Sequence, residues 1–463
     1  MLGSNMSGAN GFDGVAAAGR FFATRSPSVQ ALQLAGVIAA GLLIRVAFIQ
    51  SAGYADDLTI FRDWFRSIAV LPPSQVYAQT PGLNYPPMCV LLYEVEALVL
   101  RAFVSGTPGN HVLNVAIKLP PVLVDGLGAA LVYRLARRFA GHGWALLGAA
   151  FIALNPAIIY DSAQWGQNDS IPTVLALFAI GQLLFGSTIA AWLSITAAIF
   201  FKPPVLVLVP LMLAHPLLST GDRRRSLILQ TCAGAAGAAA IAVTLAVTFF
   251  PHPNVVGALL TFAHQFVAFS NAFPFTSLNA FNLWAFFQPF FATDRVKILA
   301  LSLHAWSDLL FMATAGCIYW RYLKSRDATA LLEASALVLL AFFVILTEMH
   351  ERYLYYAAFF CAPLVFKPAY RWAASILSLT LLLNMEYSLT FMYLDDAKVT
   401  AINRFDFAPW FTRLCSAANV GVLIRLLAPF VSGAQPAGAA RRRHAAGVVA
   451  GNRVTILRGD EPV

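Results

Sequence analysis

The chain reads as an all-α polytopic membrane protein with about twelve transmembrane helices. Three observations predict this. Of its 463 residues, 59% are hydrophobic and only 11% are charged, against about 25% charged in a soluble domain. The apolar residues fall in runs of roughly the length that crosses hydrocarbon, where backbone groups must pair internally, so the runs read as helices. Nothing alternates with the period of a transmembrane barrel. The net charge of +9 sits in short loops, which fits the positive-inside rule and not nucleic-acid binding.

Residues 1–28 form a Gly/Ser/Ala-rich tail with Arg20 and Arg25. The apolar run 31–50 is longer than a signal-peptide core and reads as an uncleaved first span. Basic loops at 134–138, 223–225, 321–326, 367–371 and 441–443 are assigned to the cytoplasm with both termini. The first span then runs outward, and 51–111 is a long outer loop. Within it, residues 85–103 carry Glu94, Glu96 and Arg101. Counting that stretch as a span would put the 134–138 cluster outside, so it reads as an amphipathic helix on the outer surface. Further spans are expected at 113–134, 143–160, 171–187, 188–201, 203–214, 227–249, 298–321, 331–347, 354–368, 372–391 and 412–430. A second long outer loop covers 250–297. The membrane domain as a whole is 29–430, and 431–463 is a cytoplasmic tail. The five cysteines form no CxxC pair and read as buried free thiols.

Polar clusters in so apolar a chain are costly and point to a site. On this topology four converge on the outer face. Asp56 and Asp57 follow the first span, with Phe61 and Trp64 at helical spacing behind them. Asp57 is either a helix cap or a general base for a hydroxyl. The run Asn84-Tyr85-Pro86-Pro87 is a helix entry. Between Asp161 and Asp169 lies a short loop. Its Gln164, Gln167 and Asp169 offer amide and carboxylate groups to a sugar, and its Trp165 reads as an interface anchor. His350-Glu351-Arg352-Tyr353 stands at an outer helix end; Arg352 is a forked, always-charged donor suited to phosphate, and His350 adds a second donor. Lys202, before Pro203-Pro204, breaks a span; it either snorkels to the interface or holds a phosphate. Lys118 and Asp125, two turns apart within one span, read as structural.

These motifs, in this order, resemble the GT-C superfamily of membrane glycosyltransferases, and within it bacterial mannosyltransferases related to the second mannosyltransferase of GPI-anchor assembly. The resemblance runs from about residue 30 to 360. It implies a GT-C-like fold and an inverting hexosyl transfer, mannose favoured, from a polyprenyl-phosphate sugar to a lipid, glycan or protein hydroxyl. It implies Asp57 or its neighbour Asp56 as base and a donor-phosphate site lined by the motif His350-Glu351-Arg352, to which charge adds Lys202. Read from the residues themselves, the expected sugar or acceptor contacts are Tyr85, Gln164, Trp165, Gln167, Asp169 and Glu351. The expected location is the bacterial cytoplasmic membrane with the site on the outer face. No cofactor is obligatory on this reading; a divalent cation on Asp56, Asp57 and Asp169 is the metal reading the residues allow. A transporter or flippase of lipid-linked sugars is the rival class, and it predicts polar residues on both faces.

Overall fold

Helix entries along this chain are set largely by proline and glycine. The computed structural model describes residues 26–51, 53–270, 273–325, 327–392 and 407–432. Helix α1 (Pro27–Ile49) opens with proline in its first turn, where the lost N–H costs nothing. Three short helices follow, α2 (Ala55–Ile68), α3 (Pro73–Gln79) and α4 (Pro87–Phe103), of which the last two also open on proline. Next come α5 (Asn110–Arg137), α6 (His142–Ala153), α7 (Ser170–Phe185) and α8 (Thr188–Phe201). After a break lie α9 (Val209–Ala214), α10 (Gly221–Phe249), α11 (Val255–Ser270) and α12 (Leu283–Phe287). The chain ends in α13 (Leu303–Lys324), α14 (Ala330–Ile345), α15 (Leu354–Cys361), α16 (Pro368–Met392) and α17 (Phe407–Ser432).

Among the described residues, five helices are long and apolar enough to cross a membrane: Pro27–Ile49, Asn110–Arg137, His142–Trp165, Gly221–Phe249 and Pro409–Ser432. Six further apolar helices have 10–17 residues. The chain is therefore a helical integral membrane protein, and the expected dozen full spans resolves into five long and several short apolar helices. The shortness has a local cause. α8 ends at Lys202, whose backbone is extended because Pro203 disfavours helix at the preceding residue, and the chain resumes as a 3-10 turn, Pro203–Leu208.

The core is built from α14 and α15, almost wholly apolar or aromatic apart from Glu333 and Ser335; they pack on each other, α14 also against α13 and α17, and α15 against α16 and α7. One buried polar knot ties the bundle. Asp125 of α5 accepts hydrogen bonds from Arg45 Nε of α1 (2.9 Å), Ser162 Oγ (2.6 Å), Ser170 Oγ (2.6 Å) and Tyr355 OH (2.9 Å). Each donor satisfies a charge that hydrocarbon would otherwise penalise by several kcal/mol. Sequence reading assigned Asp125 a structural role but passed over Arg45, which lies within the first apolar helix yet is only 1% exposed.

Several expectations are corrected. The stretch 250–297 carries α11 and α12, and its residues 276–282 are buried against Met349, Asn384 and Asn419. The span expected at 298–321 starts only at Leu303. Before it, Lys297–Ile298 and Leu301–Ser302 form an antiparallel hairpin (β1 and β2), turned by Leu299 and Ala300 at φ 51° and 72°, as a two-residue primed turn requires. The helix expected at 85–103 begins at Pro87, two residues after Tyr85. It buries Cys89, Val90, Tyr93, Glu96 and Ala97 and exposes Val95, Leu98, Val99 and Phe103. All five cysteines are free, but Cys232 and Cys317 are exposed, not buried. Arg20, Arg25, Arg326, Asp395, Asp396 and residues 433–463 lie outside the described residues.

Candidate functional site

A cavity of about 610 Å³ opens between α2, the entry to α4, the break after α8, and the segments around residues 304–308 and 346–353. One wall carries a held carboxylate. Tyr54 occupies the N-cap position of α2, which places Asp56 and Asp57 in the first turn, where the helix dipole favours anions. The helix-cap reading of Asp57 is thereby set aside. The two acids part ways here. Asp57 lines the cavity, and its Oδ2 accepts hydrogen bonds from Trp165 Nε1 (2.9 Å) and Gln167 Nε2 (2.6 Å). Asp56 is exposed, outside the cavity lining, and accepts from Tyr54 OH (2.9 Å).

The donors to Asp57 come from a segment of unusual backbone. Residues Tyr160–Trp165 form a π-helical turn, capped by Gly166 at φ 94°. A Cβ on Gly166 would lie 2.8 Å from Leu58 Cδ2 and 3.2 Å from Lys118 Cε, so both conformation and space require glycine. Lys118 reaches into the same junction and donates to Ser51 O (3.0 Å), Ser51 Oγ (3.2 Å) and Gln164 O (3.2 Å). This cross-tie fixes the start of α2 against the π-turn. It gives Lys118 its structural role and delivers Trp165 and Gln167 to Asp57.

Cations line the same cavity. Lys202 Nζ donates to Asp169 Oδ1 at 2.6 Å, and the two side chains are 3% and 0% exposed. Tyr356 OH also donates to that oxygen (2.7 Å). Arg352 donates through Nη1 to Glu351 Oε1 (2.6 Å), while its Nε lies 3.6 Å from Asp169 Oδ2 and is buried without a hydrogen-bond partner. Tyr85 and Tyr353 sandwich the Lys202 ammonium at 5.6 and 5.4 Å from their ring centroids, a cation–π arrangement. Burial, with the cations Arg352 and Lys202 beside it, pushes the His350 imidazole well below its usual range, so the ring is neutral. Burial raises the Glu351 carboxyl, opposed by Arg352.

The structure thus brings Asp57, Tyr85, Lys202, His350 and Arg352 to one cavity. Others fall behind its wall. Trp165 is buried, not an interface anchor, and Gln167 and Asp169 are 0% exposed. Gln164 faces Lys118 through its backbone carbonyl, and Glu351 pairs with Arg352. None of these five lines the cavity; Trp165 and Gln167 bond Asp57, Asp169 pairs with Lys202, and Glu351 pairs with Arg352. Asp56, Asp57 and Asp169 do not form one cation site, since Asp56 faces out and Asp169 is already paired with Lys202. Lys202 does not snorkel. Sequence reading missed His304, Asp308 and Glu348 on the lining; Glu348, two residues before His350, was the available signal.

Alongside lies a second, almost wholly apolar groove of about 470 Å³, lined by Trp192, Ile195, Phe200, Leu259 and Phe262 among others, and sharing Leu206 and Phe266 with the cavity.

No family model matches this chain, and no curated protein does. Solved structures of an oligosaccharyltransferase from Archaeoglobus fulgidus are similar in part. The form tethered to an acceptor peptide aligns at 16% identity with a TM-score of 0.45, covering 86% of this chain and 55% of that one. The apo form aligns at 14% identity with a TM-score of 0.41, over 86% and 56%. The complex with an inhibitory peptide and a dolichol-phosphate aligns at 14% identity with a TM-score of 0.37, over the same shares. The chain spans about half the length of the structures it matches.

Proposed function

We propose that this protein is a GT-C-type glycosyltransferase that moves a sugar from a polyprenyl-phosphate donor to an acceptor hydroxyl with inversion. The observation that carries the reading is that one cavity is lined by both the held carboxylate Asp57 and the cations Lys202 and Arg352. The apolar groove continuing from the cavity through Leu206 and Phe266 fits the donor's hydrocarbon chain.

In this mechanism the acceptor O–H attacks the anomeric carbon while the free oxygen of Asp57 takes its proton. The bond between that carbon and the phosphate oxygen breaks, and its electron pair leaves on the phosphate. A lipid phosphate is already a weak base, so it needs charge stabilisation more than a proton. Arg352 and Lys202 supply the charge, and neutral His350 supplies one N–H donor. One carboxylate then suffices, unlike the acid–base pair of a glycosidase. Trp165 and Gln167 fix the Asp57 rotamer, and Tyr85 supplies an aromatic wall. Mannose is the sugar favoured by the motif resemblance. The basic loops support placing both termini in the cytoplasm of a bacterial inner membrane and the cavity on the outer face.

The test uses purified protein in detergent with a panel of radiolabelled polyprenyl-phosphate sugars and membrane extract as acceptor. Wild type transfers label, and Asp57→Asn loses about 10²–10⁴-fold in turnover. An Asp57→Asn enzyme of near wild-type activity refutes the base assignment. Absence of transfer, with donor movement across reconstituted vesicles, moves the function to a flippase.

A further inference from the structure

The stretch 294–308 and the segment around Glu348 bring a different set of donors to the cavity wall. His304, at the start of α13, has Nδ1 3.2 Å from Asp294 Oδ2 and 3.9 Å from Glu348 Oε1. The ligand atoms of Asp294, His304 and Glu348 all lie within 4.8 Å of one another. We propose that these three side chains bind a divalent cation, best matched by Zn2+, whose fourth position opens on the cavity. His304 and Glu348 both line that cavity, whereas Asp294 sits behind them at 2% exposure.

The geometry suits the ion. Tetrahedral zinc with bonds of about 2.0–2.2 Å sets neighbouring ligand atoms roughly 3.4 Å apart, and the two separations at Nδ1 bracket that value. Imidazole with carboxylates is a donor set that zinc takes. The other nitrogen of the ring supplies an independent sign. His304 Nε2 faces Asp308 Oδ2 at 3.5 Å, as in the carboxylate–histidine–metal triads in which a second carboxylate fixes the tautomer and leaves the opposite nitrogen to the metal.

Charge points the same way. Among the described residues, His304 is the one basic group in ion-pair range of Asp294, Asp308 or Glu348, so three carboxylates share a single imidazole. Thr347 Oγ1 now bridges His304 Nδ1 (3.0 Å) and Asp294 Oδ2 (3.1 Å). A bound cation replaces the first of these contacts, and the second continues to orient Asp294. The backbone holds the set independently of any ion: His304 N donates to Asp294 O (3.1 Å) and Glu348 N to Phe275 O (2.9 Å). The open position would take an oxygen of the substrate, hydroxyl or phosphate; that role rests on the proposed transfer reaction, but cation binding does not.

The experiment measures metal content, not activity. Full-length protein in detergent is stripped with chelator, given excess Zn2+, desalted in metal-free buffer and analysed by plasma mass spectrometry. Wild type and Asp57→Asn each retain one zinc per chain, while His304→Ala and Glu348→Gln retain none. Asp308→Asn weakens the affinity about 10–100-fold. Glu348→Gln keeps size and shape, so it decides the matter if His304→Ala fails to elute as wild type does. A zinc-free wild type, full zinc in Glu348→Gln, or loss of zinc in Asp57→Asn overturns the proposal.

Discussion

Gln167→Met tests the claim that the buried loop acts on the reaction through Asp57. The substitution preserves side-chain length and removes the 2.6 Å donor to Asp57 Oδ2, leaving only Trp165 Nε1 at 2.9 Å. A hydrogen bond to a charged group contributes about 1.5–3 kcal/mol. If all of it serves to hold the reacting carboxylate, kcat/KM falls ~10- to ~150-fold. The 3.4 Å contact from Tyr85 OH to Gln167 Oε1 is also lost, but it is long enough to add little. The assay is transfer of labelled sugar, run as a cycle of wild type, Gln167→Met, Asp57→Asn and the double variant. Residues that act through one another are non-additive, so Gln167→Met should cost less than about threefold once Asp57 is gone. An equal cost in both backgrounds refutes the reasoning and returns Gln167 to direct substrate contact.

Two further outcomes follow from burial. Asp169→Asn strips the counter-charge from Lys202, a pair 0% and 3% exposed; breaking such a pair costs about 3–5 kcal/mol. The melting temperature followed by tryptophan fluorescence therefore drops, and adding Lys202→Met restores part of it; an unchanged melting temperature in Asp169→Asn refutes the structural role. Glu96 is 9% exposed, both its oxygens lack partners, and burial pushes its carboxyl from 4.5 to about 8. The folded protein then binds this proton more tightly than the unfolded chain, so the wild type loses stability as pH rises from about 4.5 to about 8, by at most about 5 kcal/mol. Glu96→Gln removes that loss and is more stable than wild type at pH 8.5, while matching it near pH 4.5. Parallel melting curves across this range refute the assignment.

Much of this protein was written in its composition and punctuation. Apolar runs fixed helices because lipid offers the backbone no other partner. Pro27, Pro73, Pro87 and Pro203 fixed where helices begin or break, because proline acts on its own neighbours through local sterics. The polar clusters could be found for the same reason: each is expensive where it stands, so its presence alone signals purpose. What each cluster touches depends on contacts across the fold, which no local pattern encodes. Sequence spacing could not separate Asp56 from Asp57, because adjacent residues on a helix differ by about 100° in direction and only the packed bundle says which direction holds the cavity. Trp165, Gln167 and Asp169 looked like a sugar-facing loop. A π-turn, Gly166 and the Lys118 cross-tie fold them inward instead, as supports for Asp57, Lys202 and Arg352. Arg45 and Asp125, 80 residues apart, and Asp294, His304 and Glu348, on two separate segments, acquire meaning only when tertiary packing brings them within reach of one another. Local chemistry is legible in the chain, but the pairing of buried charges is decided by the fold.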